Sequence, residues 1–221
     1  MKRPPDTIDA SFNEVEMLSV KAARGAGLPW GLADDVGRSA RWLSQYSIPW
    51  AESLLALLAG EEDATFSSLE GCPSDAPLSS VRLGAFLSDS ASECLSKGCQ
   101  SFCAVAHPIW LLPPLLGVVK ALRLSAHVRI ADISIDIDPS CTLRATTALQ
   151  ALCGVPVAEV RVQFGNMPGR PSGCLVSRPL GRATAPKWAW DKLEALALRT
   201  YVPASITSRI KGAGAGVRDD D

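Results

Sequence analysis

The apolar positions fall first into a helical rhythm, then into a two-residue one, then into a helical one again. Ser11 and Glu14 are spaced as a capping box, and Phe12, Val15, Leu18 and Ala22 follow on one helical face. Gly25 stands where a left-handed C-cap would close that helix. A second helix is predicted over 32–45, with Leu32, Val36, Ala40 and Leu43 as its buried stripe. On its outer face Asp34 and Arg38 stand four apart and can pair. A third helix starts at Pro49 or Trp50 and stops by Gly60. Residues 1–10, ahead of these, read as a loose arm.

From Glu61 to Pro77 the chain is rich in Glu, Asp, Ser, Pro and Gly, the composition of a linker or long surface loop. Beyond it, "VRLGAFL" (81–87) and "SFCAVA" (101–106) read as strands, and "LLGVVKALRL" as a short helix that Pro113 and Pro114 help to start. The clearest β signal is "HVRIADISIDID" (127–138). Val128 and Ile130 take even positions, and Ile133, Ile135 and Ile137 take odd ones. The phase flips at Ala131-Asp132, so either one strand is bent there by a bulge or two short strands pair across a tight turn. "VAEVRVQFG" (157–165) continues the sheet, and 166–184 is mostly loop. A last long helix runs from near Pro186 to Tyr201, before Pro203, with a further turn predicted at Ser205 and a Gly-rich tail after it. Helices, then strands, then helix predict an α+β chain: an N-terminal helical unit (1–60), a surface loop (61–77) and an α+β portion (78–221). That portion holds a central antiparallel or mixed sheet and a long C-terminal helix, within one compact domain overall.

Composition narrows the function classes. With 47% hydrophobic residues in 221, the chain buries a real core. Its net charge is −1 and its 22 Lys and Arg are scattered, which argues against nucleic acid or an anionic membrane surface as the main partner. The longest apolar run, Ile109 to Val119, is too short to span a bilayer and is broken by two prolines. No apolar stretch follows "MKRPPDTIDA", so a cytoplasmic protein is expected. The seven cysteines are odd in number, which favours reduced thiols over a disulfide framework.

Candidate chemistry concentrates at two places. The stretch "KAARGAGLPWGLADDVGRSARW" (21–42) holds four glycines, three arginines and two tryptophans. Gly25, Gly27 and Gly31 miss both nucleotide-loop spacings and follow a helix rather than a strand, so a nucleotide loop is disfavoured. One reading is a helix-to-helix corner, with Pro29 shaping the turn and Trp30 packed under it. The other is that Arg24, Arg38 and Arg41 present guanidiniums beside Trp30 and Trp42, to hold a carboxylate or phosphate or to meet a partner protein. The second place is "YVPASITSRIKGAGAG" (201–216). There Ser205 and Ser208 offer hydroxyls, Arg209 a charge, and Gly212 and Gly214 a backbone that a ligand can approach closely.

Other constellations are weaker. Cys94, Cys99, Cys103 and His107 could hold zinc, but lack the C-x2-C knuckle, and core cysteines are the simpler reading. Asp132, Asp136 and Asp138 could bind magnesium, but their alternation with isoleucines places Asp136 and Asp138 on a solvated strand face. His107 and His127 sit in no nucleophile motif, and no G-x-S-x-G occurs, so catalytic residues are unassigned and an enzymatic role stays open. No pattern calls for a cofactor.

"NEVE", "KAARGAG", "WGLA" and "ARWL" near the start, with "RTYVPAS", "SR" and "GAGAG" near the end, resemble an uncharacterised bacterial domain-of-unknown-function family, number 3726. Ile206 stands where an acidic residue follows the serine in the family's pattern, and Asp219 to Asp221 stand where an Asn interrupts the acidic run. The resemblance implies no activity, catalytic residue or cofactor. The combined expectation is that the two ends meet. Arg24, Arg38, Arg41 and Arg209 would then supply charge, Trp30 and Tyr201 apolar walls, and Ser205 and Ser208 hydrogen bonds to a small anionic metabolite. The alternative is a non-catalytic accessory or protein-interaction subunit.

Overall fold

In the computed structural model the described residues are 6–61, 77–165, 173–176 and 181–200. The first element is β1 (Thr7–Ala10), so the expected loose arm is in part a strand. Its partner is β9 (Ala183–Pro186), antiparallel, with Thr7 opposite Pro186 and Ala10 opposite Ala183. Four residues that look unstructured locally are held by a partner far along the chain.

α1 (Phe12–Gly25) opens on the expected capping box: the Ser11 hydroxyl accepts from the Glu14 backbone, and the Glu14 carboxylate accepts from the Ser11 N–H at 2.6 Å. Its end departs from expectation. Gly25 is the last helical residue, Ala26 is the cap, and Gly27 carries the positive φ of +96°. The Leu28 N–H reaches the Ala23 carbonyl at 3.0 Å and the Gly27 N–H the Arg24 carbonyl at 3.0 Å, which is a Schellman closure.

α2 (Trp30–Gln45) and α3 (Trp50–Glu61) follow close to their predicted bounds. After β2 (Leu78–Ser79) the chain forms α4 (Ser80–Asp89), where a strand was expected over 81–87. The buried residues Ser80, Leu83, Gly84 and Leu87 show the helical spacing that the short apolar run concealed. The Ser79 hydroxyl caps it, and Gly84 lets it close on Pro114, whose Cγ would lie 2.6 Å from a Cβ there. α5 (Ala91–Lys97) leads into β3 (Cys99–Ala106). A 3₁₀ turn (Pro108–Leu111) then feeds α6 (Leu112–Leu122), with Pro113 and Pro114 in its first turn as expected.

The phase change at Ala131-Asp132 is a tight hairpin. β4 (Ala126–Ile130) and β5 (Ile133–Ile137) pair antiparallel with Ile130 opposite Ile133, and Ala131 takes φ +49°. β6 (Leu143–Ala145), β7 (Val157–Phe164) and β8 (Cys174–Leu175) complete a seven-stranded sheet of order β2-β3-β7-β4-β5-β6-β8. Its pairs are antiparallel except β2–β3, which makes it mixed. Val128, Ile130, Ile135, Ile137, Val160 and Val162 are buried on one face, and that face joins the helices in a continuous apolar cluster. α7 (Lys187–Leu198) closes the described chain and packs on α1 and α3, so the fold is α+β as predicted.

The α1–α7 contact positions the candidate site. A Cβ built on Gly25 would stand 1.8 Å from the Leu196 carbonyl oxygen. Gly25 is therefore a glycine because two helix ends touch through their backbones, while Gly27 is one because the turn needs its φ.

Candidate functional site

The corner between α1 and α2 takes four residues, Ala26 to Pro29, and delivers the chain into α2 with Pro29 at the N-cap. Proline has no side-chain acceptor, and none caps this end. The first turn of α2 also carries no acidic residue. The leading N–H groups of α2 thus keep their partial positive charge without a side-chain partner among the described residues. A Cβ on Gly31 would meet nothing within 4 Å, so the approach to that turn is open.

Arg24 stands beside it. Its Nη1 donates to the Leu28 carbonyl, and its guanidinium carbon lies 4.5 Å from the centroid of the Trp30 ring. Trp30 is not packed under the corner, as the structural reading expected, but is 67% exposed. The stacked guanidinium is held in place by one hydrogen bond and one ring face, which reduces the side-chain entropy lost when it binds an anion.

The other two arginines go elsewhere. Arg41 Nη1 pairs with Glu16 Oε2 at 2.8 Å across the α1–α2 seam. Arg38 Nη2 pairs with Asp35 Oδ1 at 2.5 Å, rather than with the expected Asp34. At 1.5 Å of rise per residue, Arg38 stands about 12 Å and Arg41 about 16.5 Å down the helix from Trp30. One ligand at the first turn does not meet all three. Tyr201, Ser205, Ser208, Arg209, Gly212 and Gly214 lie outside the described residues. What is described is where their segment begins: α7 ends against Gly25, and the Arg199 and Thr200 N–H groups close on the carbonyls of Leu196 and Ala197.

The weaker constellations separate. Cys94 is buried in α5, and Cys99 and Cys103 lie on the exposed face of β3. Among the described residues no three His, Cys, Asp or Glu side chains are grouped to hold one metal ion. Asp136 is not simply solvated: its Oδ1 lies 2.6 Å from His127 Nδ1 across the β4–β5 hairpin. Asp138 accepts from the Ser140 N–H at 2.8 Å, the Ser140 hydroxyl at 2.6 Å and the Thr142 N–H at 3.0 Å. Partial burial pushes its carboxyl up, and these bonds outweigh that and hold it below its usual value.

The thiols give a direct check of this placement. Cys153 is half-buried, and burial with Glu52 nearby pushes its thiol up to about 11. Burial likewise raises Cys141. Alkylation at about pH 8, followed by peptide mass spectrometry, should label Cys99, Cys103 and Cys174 first and leave Cys94 and Cys153 for the unfolded protein. Early labelling of Cys94 or Cys153 would contradict the packing of α5 and the 149–154 turn.

Residues 10–80 match the model of a family described as a protein of unknown function (DUF3726). The match spans α1, α2 and α3 and reaches the first residue of α4, so it contains the corner, Arg24, Trp30, Arg38 and Arg41. The C-terminal motifs lie outside it. No curated protein and no solved structure matches the chain. Among the described residues no helix is long and apolar enough to cross a membrane.

Proposed function

We propose that the chain binds a small anionic metabolite, bearing a carboxylate or phosphate, at the first turn of α2. The observation that carries this reading is the pairing of an uncapped, acid-free helix N-terminus with the held guanidinium of Arg24. Helix N–H groups and an arginine fork both favour planar or tetrahedral oxyanions. Trp30 supplies the apolar wall for the body of the ligand. In this reading the segment with Tyr201, Ser205, Ser208, Arg209, Gly212 and Gly214 supplies the rest of the ligand's contacts. The close seat of α7 on Gly25 supports that assignment. Arg41 has a structural role in this account, tying α2 to α1.

Thermal melting against a panel of carboxylates, phosphates and nucleotides tests the reading. A ligand at about 100 times its Kd adds roughly 2.7 kcal/mol, a rise of about 5–10 °C for a chain of this size. The rise should vanish in Arg24→Ala and shrink in Arg209→Ala, and it should survive Arg41→Ala once the lower starting stability is allowed for. A panel without response would contradict it.

One observation favours a second reading, a non-catalytic accessory or interaction subunit. Trp30 is two-thirds exposed with an arginine on its face, a pairing frequent at the centres of protein interfaces. On that reading Trp30→Ala abolishes association with the partner protein while the anion panel stays silent.

A further inference from the structure

Arg38 lines a groove of about 660 Å³ between α2, α4 and the turn that starts α6, which also takes in Pro29 and Gly31 at the start of α2. That volume lies in the roughly 300–1,000 Å³ range of small-molecule sites. Leu32, Val36 and Trp42 form one wall, and Val81, Trp110 and Pro114 the other. Val36 and Trp110 are buried, while Leu32, Trp42 and Pro114 keep part of their surface open.

The polar groups of this groove have an uneven charge balance. Asp35, Arg38 and Ser39 come from α2, and Ser88 and Asp89 from α4. Arg38 is neutralised by Asp35 at 2.5 Å. The Ser88 hydroxyl is committed to the Gly84 carbonyl at 2.9 Å. Among the described residues, no ion pair or hydrogen bond engages the side chain of Asp89. Among the described residues the side chains of the lining, away from the start of α2, therefore leave one uncompensated charge, which is negative, beside an apolar floor with an indole in it. An anion entering here meets Asp89 as a like charge. A cation meets a carboxylate, and an apolar body attached to it meets a lining that includes Trp42.

We propose that this groove binds a small apolar amine. Its ring or alkyl body lies on Leu32, Trp42 and Pro114, and its ammonium group donates to Asp89. The groove reaches Pro29 and Gly31 at the start of α2, so it adjoins the anion site at Arg24, but its charged partner for the amine, Asp89, stands on α4.

Phenethylamine and 3-phenylpropionate share a body and differ in the sign of their charge. Each is titrated into the full chain while the indole N–H of Trp42 is followed by NMR. The expected result is a saturable shift with the amine, and binding of the acid weaker by about ten-fold or more. Asp89→Asn should weaken the amine by about ten-fold and should not lower the melting temperature, since Asp89 is exposed at the C-terminal end of α4 and its side chain makes no bond among the described residues. Arg24→Ala should leave amine binding as it was, so failure of the anion site does not count against this one. Equal binding of the two compounds, no shift with the amine, or an Asp89→Asn protein that binds the amine as before would each overturn the proposal.

Discussion

Gly25→Ala is expected to destabilise the chain by about 3 kcal/mol or more, the upper part of the range for overpacking. The new methyl would sit 1.8 Å from the Leu196 carbonyl oxygen and 2.6 Å from its carbon. Both are backbone atoms, so no side chain can turn aside to make room. Either α7 moves off α1 or the end of α1 unwinds. Gly27→Ala is the matched control. Nothing lies within 4 Å of its Cβ, and the cost is only the left-handed φ of +96°, about 1–2 kcal/mol. Urea denaturation of the two variants should therefore separate them clearly. Near-equal losses would mean that α1 and α7 do not meet through Gly25.

Trp50→Ala should cost about 3–5 kcal/mol, as for other large-to-small changes at fully buried aromatics. Trp50 is 1% exposed, and it joins three parts of the structure. It sits in the first turn of α3, its indole N–H donates to the Thr184 carbonyl of β9 at 3.1 Å, and its ring meets Trp190 of α7 edge-on at 6.2 Å. Removing it opens a cavity and frees a strand carbonyl at once. Trp50→Phe keeps most of the packing and loses the hydrogen bond, so its cost should be nearer 1–2 kcal/mol. Hydrogen exchange should show the difference locally. In Trp50→Ala the amides of β1 and β9 should exchange faster, because β9 loses the bond that ties it to α3.

The parts of this fold that are legible in the sequence are those whose cause is local. The capping box at Ser11 and Glu14, the helical stripes of α1 and α2, and the flipped phase at Ala131-Asp132 each depend on neighbours within a few residues. The parts that are not legible depend on distant partners. β1 has four residues and owes its existence to β9, more than 170 positions on. The 81–87 run is short and apolar, and its helical burial is set by α6 and Pro114 rather than by its own pattern. The corner shows the same division. That Gly25 and Gly27 end a helix is evident from the sequence, but which glycine bends the chain and which admits α7 is a tertiary fact.

The candidate site follows that rule as well. The sequence places Arg24 and Trp30 near one another, and they stack. It cannot show that Arg41 is drawn to Glu16 on another helix, or that Arg38 turns to Asp35 rather than to Asp34. The signal it does hold, which a scan for residue types overlooks, is the proline before Trp30. A helix that starts on proline has no side-chain cap, and here none of the neighbouring described side chains replaces it.

The first turn of α2, Arg24 and the segment after α7 are proposed to form one anion site. The most direct test follows the Trp30 indole N–H by NMR as the best anion from the melting panel is added to the full chain, to Arg24→Ala and to Arg209→Ala. A saturable shift of Trp30 is expected in the full chain, with no shift in Arg24→Ala and a titration about ten-fold weaker in Arg209→Ala. A Trp30 signal that stays still while the anion binds, or one that moves equally in all three proteins, would contradict it.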